Sequence, residues 1–499
     1  MKLGQLLAAA GAAVTAEAED IEVRQLVYDS RRAAPGSLFV AIAGFHRDGH
    51  DHAAEAVAKG AVAVVAQRPL EVGVPVAVVG DTRAALADLA AEIHDHPTRR
   101  LKLVGVTGTD GKTTTVHLVS DVLEAAGERT GFATTVDFKI LGHVWPNETR
   151  QTTQEAVEVQ EFFAELVVAG GTWGVLEATS HSLALRKLRG CEVDVAVFTN
   201  ISAEHLDFHG TLQAYLDAKA ILFEELLGGE DKGVHKTAVL NADDPHWSYL
   251  AGRASSARVL TYGIDALADV QGAMLREDAT GSRIQIAALG TEVELELPLV
   301  GRFNAQNALA AVAAGLAAGV TLEQARDALA RATPVPGRME RIAGDQPFTV
   351  IVDYAHTPAS LEKVLALLRP LTSGRLIAVF GSAGERDRSK RPKLADVAAR
   401  WCDLFVITQE DPRLEDRAEL LREIEAGAIG AGKRSGADYL VIDDRNAAIA
   451  AAIERAEAGD TVVLCGKGHE RSIIEGEEKR PWNEAEAART ALRTRGFAA

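Results

Sequence analysis

Cysteine is nearly missing from this chain. Only Cys191, Cys402 and Cys465 occur in 499 residues, far apart and with no C-x-x-C pair. That pattern excludes a cysteine-based zinc site and a disulfide framework, and it fits a reducing, cytoplasmic setting. Basic charge is also short. Lys and Arg total 53 against 71 Asp and Glu, a net charge of −18. A nucleic-acid binder carries a basic excess or patch, so nucleic acid is not expected as a partner, although a few local Arg and Lys can still hold a small anion. Long apolar runs are absent as well. Nothing approaches the roughly 18 residues that span a bilayer, so the chain is not expected to be membrane-embedded. The opening "MKLGQLLAAAGAAVTAEA" imitates a signal peptide, with one lysine, an apolar stretch and small residues. It reads as a short amphipathic helix of the mature fold, because the phosphate chemistry downstream belongs in the cytoplasm. Fixed-period repeats and low-complexity tracts are missing too.

What is present is a globular composition, 47% hydrophobic and 25% charged, with length enough for two to four domains. Short apolar strands alternate with helices throughout, which predicts an α/β fold with mostly parallel sheets. Residues 1–98 hold "SLFVAI", "AVAVVA" and "PVAVVG" among Ala-rich helices. "HDHPTRR" then reads as a linker, polar and with a helix-stopping proline. Residues 99–333 alternate regularly, with strands at "LKLVGVT", near 129–135, "WGVLEA", "VDVAVFT" and "TAVLNA". Helices are expected at 113–126, 154–169 and 211–227, then a β-rich stretch at 258–299 and a helix at 303–318. "PVPGRMERI" marks a second hinge, and residues 334–499 form a smaller α/β sheet.

Between a strand and a helix lies "GTDGKTTT", residues 108–115. Glycines Gly108 and Gly111 let backbone N–H groups converge on an anion, and the helix N-terminus adds partial positive charge. Lys112 can reach terminal phosphates, and the Thr113 hydroxyl can bind Mg²⁺. The familiar G-x-x-x-x-G-K-[ST] pattern is not met, since Gly105 lies one position too early. An ordinary glycine turn would not need G-K-T-T-T in this context, so phosphate binding is expected.

Glu177 ends the strand "WGVLEA". In an open parallel sheet, ligands bind beyond the carboxyl ends of strands, and a carboxylate there can hold Mg²⁺. The next strand end leads into "TNISAEHLDFHG", with His205, Asp207 and His209. These lack a zinc-helix spacing and any cysteine partner, so His205 is read as a Mg²⁺ neighbour or ligand. In "TLQAYLDAKAILFEEL", Lys219 shares a helix face with Tyr215, Leu216, Leu222 and Phe223. Its pKa is expected to be depressed there. The bland alternative is a surface lysine snorkelling to water. The sharper one is a neutral amine able to take up CO₂ as a carbamate, which residues alone do not establish.

Together these stretches resemble the Mur ligase family, in particular its UDP-N-acetylmuramoyl-tripeptide synthetase type, over nearly the whole chain. The resemblance rests on "DSRRAAPGSLFVAIAGFHRDGHDHA", "GTDGKTTT", "EATSHSLAL", "FTNISAEHLDFHGTLQAYLDAKAILF", "LNADDP", "GRFNAQNALAA", "GRMERI", "VDYAHTPASLEKVL", "GERDRSKRP", "EDPRLED" and "GKGHE", in that order. It implies three domains: a UDP-sugar-binding domain (1–98), a P-loop-type ATPase domain (99–333) and a Rossmann-like amino-acid-binding domain (334–499). Closure about hinges near 98 and 334 is expected with them. It also implies a reaction. ATP phosphorylates the D-Glu side-chain carboxylate of UDP-MurNAc-L-Ala-D-Glu, and the amine of a diamino acid attacks the acyl phosphate. The phosphate loop then serves to activate a carboxylate.

By family position, Lys112, Lys219, His205 and Glu177 are catalytic. ATP is held by Gly108, Thr109, Asp110, Gly111, Lys112, Thr113, Thr114, Asn304, Arg338 and His356. Thr113 and Glu177 serve one Mg²⁺, and His205 with carbamylated Lys219 the other. Tyr28, Ser30, Thr152, Thr153, Thr179 and Lys187 meet the UDP-sugar peptide. Thr179 stands where Ser is usual, and Lys187 where Arg is usual, which keeps the charge but loses the bidentate geometry. Asp110 stands where Asn is usual, and its side chain is expected to point away from phosphate.

The added amino acid is implied to meet Arg386, Glu410, Asp411, Pro412, Arg413, Gly466 and Glu470. The diaminopimelate pattern D-N-P-R is "EDPR" here. Arg413 suits the distal carboxylate of meso-diaminopimelate. Asp411 in place of Asn suits a distal ammonium, as in L-lysine or L-ornithine. The two residues pull opposite ways, and meso-diaminopimelate is weakly favoured. Competing possibilities are folylpolyglutamate synthase, against which the N-terminal block argues, a nucleotide switch without ligation, and a degenerate ligase. The chain is expected to act as a monomer.

Overall fold

In the computed structural model, apolar strands and the helices between them build three parallel-rich sheets and one two-stranded hairpin. The structure describes residues 1–499 apart from 45, 46, 150, 203 and 279 and the side chain of Asp207, one of the residues singled out above, which lies outside the described set. The first sheet holds β1 (Gln25–Val27), β2 (Ser37–Val40), β3 (Ala61–Ala66) and β4 (Val76–Val78), all parallel and in sequence order. Helix Leu3–Ala9 packs in the same core. Its Leu3, Leu6 and Leu7 are fully buried, as a three-and-four spacing on one helix face requires.

The central sheet contains β5 (Lys102–Thr107), β6 (Thr130–Ala133), β7 (Asp137–Ile140), β8 (His143–Pro146), β9 (Trp173–Glu177), β10 (Val195–Phe198), β11 (Thr237–Asn241) and β12 (Arg258–Gly263). Their order is β12-β11-β10-β5-β9-β6-β7-β8, parallel except for the antiparallel run β6-β7-β8. Strands β9, β10 and β11 are buried at every position, as a sheet covered on both faces demands. Beside β12 runs β13 (Val270–Asp278), and β14 (Gly281–Ala288) and β15 (Thr291–Leu297) extend that edge.

The third sheet holds β16 (Glu340–Arg341), β17 (Thr349–Asp353), β18 (Leu376–Phe380), β19 (Leu404–Ile407), β20 (Tyr439–Val441) and β21 (Thr461–Cys465). It runs β16-β17-β21-β18-β19-β20, with only β16 antiparallel. Apolar clusters cover both faces.

Three local expectations change. The segment 94–100 is not a bare linker: Pro97–Arg100 is a short helix with Pro97 and Thr98 buried. Proline at a first helical position starts a helix, because its fixed φ suits the turn and its missing N–H has no partner to lose there. The helix expected over 211–227 is α-helical only over Leu212–Ile221 and continues as a π-turn over Leu222–Leu226. Hairpin β7–β8 occupies what was read as connection, turning at Leu141 with φ 54°.

By compactness the chain forms two units. One is Met1–Ala273 with Gln285–Leu295 and Gln306–Ala330, and the other is Met274–Ile284 with Glu296–Ala305 and Arg331–Ala499. All three cysteines are buried and free, and burial pushes the Cys191 thiol up to about 12. Among the described residues no helix is long and apolar enough to cross a membrane.

Candidate active site

Strand β5 lies between β9 and β10, with Val106 opposite Glu177 and Thr107 opposite Phe198. The chain leaving these three carboxyl ends must therefore meet. Gly108 makes the meeting possible. Its φ is 149°, and a Cβ there would stand 1.8 Å from Thr199 Oγ1. The end of β10 then holds the loop. The Thr109 N–H donates to the Asn200 carbonyl (2.7 Å) and the Asp110 N–H to Asn200 Oδ1 (3.0 Å). The Asp110 carbonyl accepts from the Thr199 hydroxyl at 2.7 Å. Gly111 precedes helix Lys112–Ala125 as an N-cap with no side-chain capping bond. Thr114 is half-buried in its first turn.

Two lysines converge on one carbonyl of this loop. Lys112 Nζ donates to the Gly108 and Thr109 carbonyls at 3.1 and 2.8 Å, and Lys219 Nζ donates to the Gly108 carbonyl at 2.7 Å. Lys219 is 1% exposed, and its Nζ lies 4.3 Å from the Tyr215 ring centre. Burial holds its pKa well below the usual lysine range, and the Lys112 charge lowers it further. The depressed pKa read from the helix face is thus present in the fold. Tyr215 in turn shares a hydrogen bond with Thr109 Oγ1 (3.1 Å), and burial pushes its phenol up to about 12.

Glu177 is 1% exposed and fully engaged. It accepts from the Thr113 hydroxyl (2.8 Å) and from the Thr135 N–H (2.8 Å) and hydroxyl (3.2 Å). Thr113 and Glu177 therefore offer adjacent oxygens just past the phosphate loop. Among the described residues no group of three or more His, Cys, Asp or Glu is arranged to hold a metal. That donor set suits Mg²⁺, which takes one or two protein carboxylates and fills its shell with phosphate oxygens and water. His205 sits at φ 55°, its ring 4.9 Å from that of His181 and 6.1 Å from that of Tyr215.

Thr152 and Thr153 lie beside Glu177 without bonding its carboxylate. The Thr152 and Thr135 hydroxyls share a hydrogen bond (3.1 Å), and the Thr153 hydroxyl donates to the Glu177 backbone carbonyl (2.9 Å). Lys187 pairs with Glu155 at 2.8 Å and lies 3.4 Å from the Thr153 carbonyl. Thr179 caps helix Ser180–Ala184 by accepting the Ser182 N–H. Tyr28 and Ser30 make separate bonds, to Glu158 (3.0 Å) and Glu55 (2.8 Å), and burial raises the Tyr28 phenol.

In the second unit, Asn304 Nδ2 donates to the Val300 carbonyl at 2.8 Å. The Arg338 guanidinium lies 4.8 Å from the Tyr354 ring, and the His356 and His469 rings each lie 4.7 Å from it. The residues that the resemblance assigns to the added amino acid follow the carboxyl ends of three neighbouring strands: Arg386 after β18, Glu410–Arg413 after β19, and Gly466 with Glu470 after β21. Arg386 is exposed, while Glu410, Asp411 and Pro412 are buried. One expectation changes here. The Asp411 charge suits a distal ammonium by sequence, but its Oδ1 accepts from Lys467 Nζ at 2.8 Å and from the Ile474 N–H at 2.9 Å.

Thr135, Asn200 and Lys467 carry the geometry but were not picked out by sequence. Asn200, inside "TNISAEHLDFHG", and Lys467, inside "GKGHE", stood in motifs that could have flagged them.

Comparison with known proteins gives the family. The family profile described as "Mur ligase middle domain" matches residues 106–315, "Mur ligase, glutamate ligase domain" matches 337–468, and "Mur ligase family, catalytic domain" matches 22–96. The UDP-N-acetylmuramyl-tripeptide synthetase of Roseiflexus sp. (strain RS-1) is 50% identical over 486 residues, covering 95% of this chain and 96% of its own. The chain belongs to the Mur ligase family. This Mur ligase is also 43% identical over 474 residues to the UDP-N-acetylmuramoyl-L-alanyl-D-glutamate--2,6-diaminopimelate ligase of Geobacillus thermodenitrificans (strain NG80-2), covering 95% of this chain and 96% of the other. A solved structure of a ligase of that same description is 31% identical, covers 99% of both chains and has a TM-score of 0.71. The enzyme class is accordingly that of an ATP-dependent peptide ligase.

Proposed function

We propose that this Mur ligase adds meso-diaminopimelate to the D-Glu side-chain carboxylate of UDP-MurNAc-L-Ala-D-Glu, converting ATP to ADP and phosphate, in the cytoplasmic synthesis of peptidoglycan precursors. The names of the relatives support the substrates. The observation that carries the chemistry is the convergence of Lys112 and Lys219 on the Gly108 carbonyl beside the Thr113–Glu177 pair. Phosphoryl transfer from ATP asks for positioning and charge neutralisation rather than acid–base chemistry. Lys112 neutralises charge on the terminal phosphates while the first-turn N–H groups of helix Lys112–Ala125 orient them. Thr152, Thr153 and Lys187 hold the peptide so that its carboxylate meets the γ-phosphate.

Mg²⁺ bound at Thr113 and Glu177, and at His205 with Lys219, would spread the charge that builds on the transferred group. For that second ion Lys219 must lose its positive charge. Burial favours the neutral form of its amine, and in that form it can add to CO₂, forming an N–C bond and releasing a proton to water to leave an anionic carbamate. The carbamate would also stand as an anion beside the Lys112 cation. By family position Asn304, Arg338 and His356 contact ATP, and the chain divides into domains at 98 and 333 and acts as a monomer.

The test is product formation from ATP and UDP-MurNAc-L-Ala-D-Glu with meso-diaminopimelate, L-lysine and L-ornithine offered separately. Preferred use of meso-diaminopimelate is expected. Preference for a diamine would overturn the acceptor assignment, and no product with any of them would overturn the ligase.

A further inference from the structure

The acceptor end of the second unit holds a charged residue that the motif comparison does not assign. Lys467 follows Gly466 just past β21, and its side chain has no exposed surface. A buried ammonium costs several kcal/mol unless it is well paired. Lys467 is paired twice: its Nζ donates to Asp411 Oδ1 at 2.8 Å and to Glu470 Oε2. The same Asp411 oxygen takes the Ile474 N–H. Asp411 and Glu470 are therefore bound up within the loops that carry them.

Glu410 and Arg413 differ. Glu410 is 6% exposed, and its Oε2 is buried with no hydrogen-bond partner. Only a glycine at 466 leaves that oxygen room, since a Cβ there would lie 2.9 Å from it and φ is 107°. Arg413 sits at φ 54°, pinned by its N–H on the Ile474 carbonyl (3.0 Å) and by the Gly476 N–H on its own carbonyl (2.9 Å). Its Nε is also buried and unpartnered. One unmet acceptor and one unmet donor of opposite charge ask for a ligand group bearing both an ammonium and a carboxylate.

We infer that Lys467 is a positioning residue for acceptor specificity: it neutralises Asp411, so that Glu410 and Arg413 read a distal amino-acid head in preference to a distal ammonium alone. The inference rests on the ligase reading above. It removes the opposition between Asp411 and Arg413, because the substitution of Asp for Asn at 411 is matched inside the protein and does not reach the substrate. Uncovering Asp411 would favour a distal ammonium, and a unit charge at such a contact is worth about tenfold in relative affinity.

The test uses the full chain with Lys467→Met, Lys467→Arg, Asp411→Asn and the double variant Lys467→Met/Asp411→Asn. The first arm traps acyl phosphate with hydroxylamine from ATP and UDP-MurNAc-L-Ala-D-Glu, with no amino acid added. An unaltered chain that gives no hydroxamate overturns the ligase reading and this inference with it. The second arm measures kcat and KM for meso-diaminopimelate and L-lysine. Lys467→Met is expected to lower the diaminopimelate-to-lysine ratio of kcat/KM about tenfold, through KM. Lys467→Arg and the double variant are expected to keep it within about threefold of the unaltered chain. Hydroxamate formation with an unmoved ratio in Lys467→Met overturns the inference alone. Should Lys467→Met fail to fold, Asp411→Asn decides. A ratio within about threefold supports the inference, and a tenfold rise through lost lysine use overturns it.

Discussion

Lys219 and Lys112 donate to the same Gly108 carbonyl, and burial holds the Lys219 pKa well below the usual lysine range. Lys219→Ala is expected to lower kcat by about 10²–10³-fold, the order seen when a preorganised charge-stabilising group is removed. Formate or acetate should restore part of the rate, since either can place a carboxylate where the carbamate would sit. Full activity in the alanine variant would sink the carbamate assignment, and ¹³C-labelled CO₂ offers an independent NMR readout. A second residue-scale prediction concerns His469. Burial, helped by the neighbouring Arg338 and Lys467 charges, lowers its pKa from the ordinary value to about 2. The folded imidazole is then neutral where the unfolded one takes a proton, so stability is full above about 6.5 and is lost as pH falls below it. Because the ring keeps some exposed surface, the loss is about 1 kcal/mol per pH unit below 6. Denaturant melts at pH 7, 6 and 5 should show a shallower fall for His469→Phe than for the unaltered chain, and equal slopes would refute the assignment.

At the scale of elements, helix Leu212–Ile221 places Lys219, and its start is held by Thr211, which accepts the Ala214 N–H at 3.1 Å. Thr211→Ala removes that cap and should cost about 1 kcal/mol, read as a lower denaturation midpoint with an unchanged m-value. Elements were the most legible part of the sequence. Runs such as "VDVAVFT" could only be strands buried on both faces, and the β5 strand with its glycine turn and helix appears where the phosphate-loop pattern put it. Two kinds of element escaped. Proline at 97 was taken as a stop because its role depends on which helix it borders. The β7–β8 hairpin was passed over because its turn rests on Leu141 in a left-handed conformation, with no Asn-Gly or Asp-Gly signal.

For the whole molecule, the two compact units suggest separate unfolding transitions, since multidomain chains depart from two-state behaviour. The second unit contains an ion pair with both side chains wholly buried, Arg445 with Glu484. Arg445 also donates to the Gln409 and Cys465 carbonyls at 3.0 and 2.7 Å, which tethers the ends of β19 and β21 where the acceptor loops begin. Breaking such a pair from one side strands a buried charge. Arg445→Met should therefore lower only the calorimetric transition of this unit, by about 3–5 kcal/mol, and raise the KM for the amino acid. A uniform shift of both transitions would count against independent units.

The order of strands and helices, the phosphate loop, and the placement of chemical motifs at strand carboxyl ends were determined by the sequence alone. Periodicity, glycine and the Lys-Thr pair act through neighbours close along the chain, so they can be read there. Only the tertiary structure decided which charges are already matched. Lys219 meets the Gly108 carbonyl across 111 positions, and Lys467 meets Asp411 across 56. Thr135 reaches Glu177 across 42. Desolvation and Coulomb energy depend on separation in space and on exclusion of water, and neither is encoded by adjacency. Asp411 therefore reads as an open anion in the sequence and as a paired one in the fold.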